Sequence, residues 1–109
     1  MKLIRAIIRE ERVPFVKRAL ENEGIFGMTV KEVRGRGEQK GLSLQYRGGI
    51  LAIDLLPKVS IDIFVRPEQE EAVIQAIMKG ARTGKIGDGR IFVMPAGESV
   101  RVRTGDVEA

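Results

Sequence analysis

The chain has 109 residues, about one domain, so any function sits on one compact unit or is built by assembly, with no room for a separate catalytic domain. Cysteine and histidine are both absent, which excludes disulfides, Cys/His zinc centres, Ser-His-Asp chemistry and the usual neutral-pH general base. A net charge of +4 suits anionic ligands, but the 15 acidic residues are spread among the 19 basic ones, so no dense nucleic-acid stripe is visible.

Residues 2 to 9 alternate, with Ile4, Ala6 and Ile8 on one side and Leu3 and Ile7 on the other, which predicts a strand covered on both faces. Its start at Met1-Lys2-Leu3-Ile4-Arg5 reads as strand from the outset, with no secretory leader, and no apolar run reaches membrane-spanning length. A soluble, cytosolic protein is expected. Val13, Val16 and Leu20 recur at helical spacing, with Pro14 tolerable in the first turn and Gly24 a natural stop. Met28 to Gly35 then reads as a second strand.

The segment Gly37 to Leu56 exceeds the roughly 12–15 residues of an ordinary connection, which marks it as functional. Its glycines favour mobility, while Leu42, Leu44, Tyr46, Ile50 and Leu51 offer apolar contact, so it reads as a partner-binding loop. Alternation returns at Val59, Ile61, Ile63 and Val65, with Ser60, Asp62 and Phe64 opposite. Pro67 and the following carboxylates open a helix whose buried stripe is Val73, Ala76, Ile77 and Gly80, and Arg90 to Met94 is the next strand.

Strand-helix-strand therefore occurs twice, the pattern of a ferredoxin-like α+β sandwich with both helices on one face of an antiparallel sheet. Leu3, Ile7, Val33, Phe64 and Phe92 fall on the other face, where water contact would favour aggregation, so that face is expected to be covered by oligomerisation.

Thr83-Gly84-Lys85 is not a Walker A motif: Lys79 stands where a glycine is needed, Ile86 where a hydroxyl is needed, and the order runs from helix to strand. Gly35 to Gly41 is one residue too long for a dinucleotide fingerprint. The run Thr83-Gly84-Lys85-Ile86-Gly87-Asp88-Gly89-Arg90 can turn backbone N–H groups toward an anion, or serve simply as a tight turn between helix and strand. Val100-Arg101-Val102-Arg103 places two guanidinium groups on one strand face, suited to phosphate or to solvent.

The blocks Gly27-Met28-Thr29-Val30, Gly35-Arg36-Gly37-Glu38-Gln39-Lys40-Gly41, Leu56-Pro57-Lys58-Val59, Thr83 to Val93 and Arg101-Val102-Arg103-Thr104-Gly105 closely resemble the PII signal-transduction proteins of nitrogen metabolism, in register from Met1 to about Gly105. The resemblance implies a single domain over 1–109 that forms a homotrimer, with ATP or ADP in clefts between subunits and 2-oxoglutarate joining ATP and magnesium. It implies nucleotide contacts from Ile7, Thr29, Gly35, Gly37, Glu38, Gln39, Asp62, Phe64, Gly87, Asp88, Gly89, Arg90, Arg101 and Arg103. Gln39 would help hold magnesium, and Gly37, Gln39, Lys40, Gly41 and Lys58 would hold 2-oxoglutarate.

The connection at about 37–56 corresponds to the family's T-loop, with Tyr46, Arg47 and Leu51 as partner contacts. Leu51 stands where uridylylated members have tyrosine and Gly49 where others carry a phosphorylated serine, so no covalent modification is expected there. Glu38 replaces a frequent arginine, and Asp62 and Arg90 replace glutamate and lysine. The implied activity is a non-enzymatic regulator that binds an ammonium transporter or a nitrogen-assimilation enzyme, without nucleic acid or membrane insertion. The alternatives are a PII-like trimer with another effector and a basic nucleic-acid-binding module. One tyrosine, four phenylalanines and no tryptophan leave few stacking platforms for the latter.

Overall fold

The computed structural model describes residues 1–36 and 55–109, together with the backbone of 42–46 and 49–53. In chain order the elements are β1 (Lys2–Ile8), a 3-10 turn at Glu10–Arg12, α1 (Val13–Asn22), β2 (Thr29–Gly35), β3 (Leu42–Tyr46) and β4 (Gly49–Ile53). There follow β5 (Leu56–Val65), a 3-10 turn at Pro67–Gln69, α2 (Glu70–Ala81), β6 (Gly89–Pro95), and the short strands β7 (Ser99–Val100) and β8 (Val107–Glu108).

The main sheet has the order β2-β5-β1-β6, with every neighbouring pair antiparallel. Each helix thus joins two strands of the same direction with a third between them, which is the ferredoxin-like arrangement expected from the two strand-helix-strand units. The expected alternation holds in space. Ile4, Ala6 and Ile8 of β1 and Val59, Ile61, Ile63 and Val65 of β5 are buried with Val16 and Leu20 of α1 and Val73, Ala76 and Ile77 of α2.

Gly80 sets how closely the helices approach, because a Cβ there would lie 2.6 Å from the Val16 Cα. Arg12, the last residue of the 3-10 turn before α1, braces the same junction. Its Nε donates to the Gly80 carbonyl at 2.8 Å, an acceptor otherwise orphaned near a helix end, and its guanidinium lies 3.9 Å from the Phe15 ring centroid. Gly24 ends α1 at φ +76°, a left-handed conformation that glycine adopts without strain.

Several sequence expectations shift. Within the long connection, β3 and β4 pair as an antiparallel hairpin, and Leu56 is the first residue of β5 rather than the end of a loop. The second helix begins with a 3-10 turn, where the Arg66 backbone N–H donates to Gln69 Oε1 at 3.0 Å. Ser60, expected on the open face, is nevertheless buried, because β5 is a central strand and Ile7 and Lys31 flank it in register.

The largest correction concerns Arg101 and Arg103. They do not share a strand face: β7 ends at Val100, and 101–105 form a turn closed by Gly105 N–H to Arg101 O at 2.7 Å and Arg101 N–H to Asp106 O at 2.8 Å. Gly105, at φ +75°, lets the chain reverse where the alternating Val-Arg-Val-Arg pattern suggests continuation.

Candidate functional site

The antiparallel register gives the sheet two ends. At one end stand the last residues of β1 and β2 and the first of β5 and β6, since Ile8 faces Val59 and Gly89, and Gly35 faces Leu56. The α2–β6 connection, 82–88, lies over this end. Together they form a cleft of about 690 Å³ lined by Ile7, Gly35, Arg36, Leu56, Lys58, Lys85 to Arg90 and Phe92. Volumes of about 300–1,000 Å³ suit small ligands.

The loop over the cleft is shaped from within by Asp88. Its carboxylate accepts the Thr83 backbone N–H at 2.8 Å, the Gly84 N–H at 2.9 Å and the Thr83 hydroxyl. Arg9 Nε reaches it at 3.3 Å. These bonds, that from the Thr83 hydroxyl foremost, hold the Asp88 carboxyl well below the usual aspartate range despite the opposing effect of desolvation. The backbone is correspondingly tight: Gly84 has φ +87°, Gly87 φ +99° and Gly89 φ +112°.

A group with a depressed folded pKa contributes stability above its unfolded pKa, about 3.9, and loses it as pH falls through the folded value. The Asp88 loop is therefore expected to keep its hydrogen bonds unchanged from neutral pH down to about pH 4. Carboxyl-carbon NMR should give Asp88 a midpoint below that of an ordinary aspartate, and Thr83→Val should raise it. An ordinary midpoint would show that these bonds do not form in solution.

Lys58 enters the cleft from β5, where its Nζ donates to the Gly87 carbonyl at 2.5 Å. Burial, followed by repulsion from Arg9, lowers its pKa, while Glu11 and Asp88 act in the opposite sense. Arg9 itself spans two acceptors, because its Nη2 also donates to the Ile86 carbonyl at 2.7 Å. The site thus combines lysine and arginine side chains, a glycine-rich turn and apolar walls from Ile7, Leu56 and Phe92, suited to an anion carrying an apolar portion.

Of the nucleotide residues expected from sequence, Ile7, Gly35, Gly87, Asp88, Gly89 and Arg90 meet at this cleft with Lys58. Thr29 and Phe64 lie toward the opposite end. Thr29 opens β2, six residues from Gly35, and at ~3.3 Å per strand residue that is about 20 Å. Phe64 faces Leu3 in register and is 60% exposed. Asp62 presents both carboxylate oxygens to Arg5, at 2.8 Å from Nε and 3.0 Å from Nη2, and this paired geometry keeps its pKa low. Arg101 and Arg103 belong to the C-terminal turn.

Gly37, Glu38, Gln39, Lys40, Gly41 and Arg47 lie outside the described residues. Tyr46 and Leu51 occupy β3 and β4, opposite Gly49 and Leu44 respectively, and their side chains are likewise outside the description. Among the described residues no group of carboxylates forms a metal centre, and no helix is long and apolar enough to cross a membrane.

Lys85 belongs to the run read from sequence as able to face an anion, whereas sequence reasoning does not single out Arg9 or Phe92 as site residues. Antiparallel pairing of Ile8 with Gly89 carries a usable signal for Arg9, because it sets the residue after β1 beside the turn before β6.

The family model for nitrogen regulatory protein P-II matches residues 1–106. The chain belongs to the nitrogen regulatory P-II family. Nitrogen regulatory protein P-II 2 of Methanothermobacter thermautotrophicus is 54% identical over 106 residues, covering 97% of this chain and 92% of that protein. A P-II protein of Pasteurella multocida is 50% identical over 106 residues, covering 97% and 95%. The crystal structure of Arabidopsis thaliana PII bound to citrate superposes with a TM-score of 0.80 at 39% identity, covering 98% of this chain and 84% of that one. Family membership makes this chain a regulator of nitrogen metabolism with an effector-binding fold, and it supports the reading of the cleft as an effector site.

Proposed function

We propose that the protein is a cytoplasmic, non-enzymatic homotrimer that binds ATP or ADP in three intersubunit clefts, adds 2-oxoglutarate through magnesium, and controls a target protein through the T-loop. The observation that carries this reading is the separation within one subunit. Cationic and glycine-rich residues gather in the cleft at one end of the sheet, whereas Thr29 and Phe64, the residues the resemblance assigns to the base, are not among those lining it. A neighbouring copy that brings its Thr29 and Phe64 to the first copy's Gly87–Arg90 turn completes the site.

The uncovered sheet face supports the same assembly. Phe64 is 60% and Phe92 43% exposed there, flanked by Leu3, Ile7, Val33 and Met94, while the self-neutralising Arg5–Asp62 pair sits at its centre. Covering such a face removes apolar surface from water at about 25 cal/mol per Å². Citrate in the Arabidopsis relative is a polycarboxylate, which fits an effector cleft able to take anionic groups. In the proposed site, Arg90 and the backbone of 87–89 hold phosphates, Lys58 takes the distal carboxylate of 2-oxoglutarate, and Gln39 supports magnesium. Arg101 and Arg103 reach the phosphates from the C-terminal turn.

Light scattering is expected to return three times the chain mass at micromolar concentration, with or without nucleotide. A monomeric mass would remove the intersubunit site. For the regulatory step, the T-loop is expected to capture partners from native lysate in a pattern that differs among ADP, ATP, and ATP with 2-oxoglutarate. An ammonium transporter or a nitrogen-assimilation enzyme is the expected target. Identical partners in all three states, or none lost after deletion of 42–52, would show that the loop is not the switch.

A further inference from the structure

The cleft loop is held by a residue outside it. Arg9 follows the last residue of β1 and is not among the residues lining the cleft, yet its guanidinium engages two positions of the loop at once. Nη2 donates to the Ile86 carbonyl at 2.7 Å and Nε to Asp88 Oδ1 at 3.3 Å. Between these positions, Gly87 offers its carbonyl to Lys58 at 2.5 Å. Three consecutive residues of the loop are thereby tied to the strand ends beneath them.

We infer that Arg9 is a positioning residue of the anion cleft: from behind the loop it fixes the Ile86–Asp88 backbone and, through Asp88, the turn that begins at Thr83. This rests on the proposed reading of the cleft as an anion site. The planar, forked guanidinium matters because it aims two separate N–H donors, Nε and Nη2, at a carboxylate and a carbonyl in fixed geometry, whereas the rotatable donors of one ammonium nitrogen do not pre-set that arrangement. The Arg9 side chain is 23% exposed, so the bonds are partly shielded from water.

Asp88 passes the constraint on. Its other oxygen, Oδ2, accepts the Thr83 and Gly84 N–H groups, so freeing the Asp88 carboxylate loosens both ends of the turn. Arg9 also faces Lys58 electrostatically. The charged groups acting on that amine are Arg9 in one sense and Glu11 and Asp88 in the other. Fork and charge therefore have separable consequences.

Arg9→Met keeps most of the aliphatic stem and removes both donors and the charge, while Arg9→Lys keeps the charge without the fork. Amide exchange at Thr83 and Gly84 is expected to accelerate roughly tenfold in both variants, and ATP binding by calorimetry to weaken roughly tenfold, the scale of one charge-assisted hydrogen bond. The Lys58 amine, followed by NMR, should titrate higher in Arg9→Met and stay near the wild-type value in Arg9→Lys, which separates loss of the charge from loss of the fork. In an Asp88→Asn background, Arg9→Met should cost less than in the wild type, since the route through Asp88 is already weakened.

Unchanged exchange at Thr83 and Gly84 in Arg9→Met would overturn the inference, even if ATP binding fell, because Arg9 would then act by touching the ligand. Additivity with Asp88→Asn would overturn the route through Asp88. If the wild-type protein bound no ATP, the reading of the cleft would fail, and the exchange and titration results alone would decide the role of Arg9.

Discussion

Replacing Gly89 by alanine is expected to destabilise the folded chain by at least about 4 kcal/mol, through a steric and a conformational cause acting together. Gly89 sits at φ +112°, outside the conformations that side-chain-bearing residues accept, and a Cβ there would lie 1.8 Å from the Ile7 carbonyl oxygen. That oxygen belongs to β1, which lies between β5 and β6, so it cannot retreat without breaking the ladder that sets Ile8 beside Gly89. A thermal melt of Gly89→Ala should fall by roughly 15 °C or more for a domain of this size.

Gly84→Ala provides the internal comparison. It too has a positive φ, but no atom lies within 4 Å of the added methyl, so only the conformational part, about 1 kcal/mol, is expected. Equal losses at the two positions would show that the close approach of Gly89 to Ile7 is absent in solution. The same contact ties the fold to the site, because Gly89 is both the first residue of β6 and part of the cleft wall.

Much of this architecture is legible in the sequence because its physical signals are local. The strict alternation of Ile4, Ala6 and Ile8 and of Val59, Ile61, Ile63 and Val65 requires one buried face, and those residues form the sheet side of the core. The turn at 101–105 is not legible in the same way. Val100-Arg101-Val102-Arg103 has a strand's alternation, yet Val102 is fully exposed, and the chain reverses through Gly105 and short-range backbone bonds that periodicity does not encode.

For the site, glycine spacing reveals that 83–90 turns tightly but not what shapes it. Asp88 reads equally well as a ligand contact or a loop brace. Only the three-dimensional pairing shows its carboxylate already accepting Thr83, Gly84 and Arg9. Likewise, Asp62 is readable as a carboxylate on the open sheet face, whereas its pairing with Arg5 depends on β1 and β5 lying side by side, 57 residues apart in sequence. Non-local contacts decide both roles.

Lys58→Ala is expected to weaken 2-oxoglutarate binding roughly 10- to 150-fold while leaving ATP affinity within about threefold of wild type, the proposed division of labour in the cleft. The lysine supplies one charge-assisted contact to one ligand, and its loss should weaken that ligand by ~1.5–3 kcal/mol. The loop need not collapse with it. Gly87 loses its bond from Nζ, but its carbonyl lies at a cleft open to water, and Arg9 and Asp88 still hold the residues on either side. Lys58→Arg keeps the charge but changes its reach and shape, so it should restore only part of the affinity. Titration calorimetry with ATP and magnesium present, followed by 2-oxoglutarate, measures each ligand separately. Loss of both in Lys58→Ala would mean that the lysine supports the whole cleft, and retention of both would mean that 2-oxoglutarate is held elsewhere. A wild-type protein that takes up 2-oxoglutarate equally well without nucleotide would exclude a shared metal, because the proposed effector needs ATP-bound magnesium for its other end.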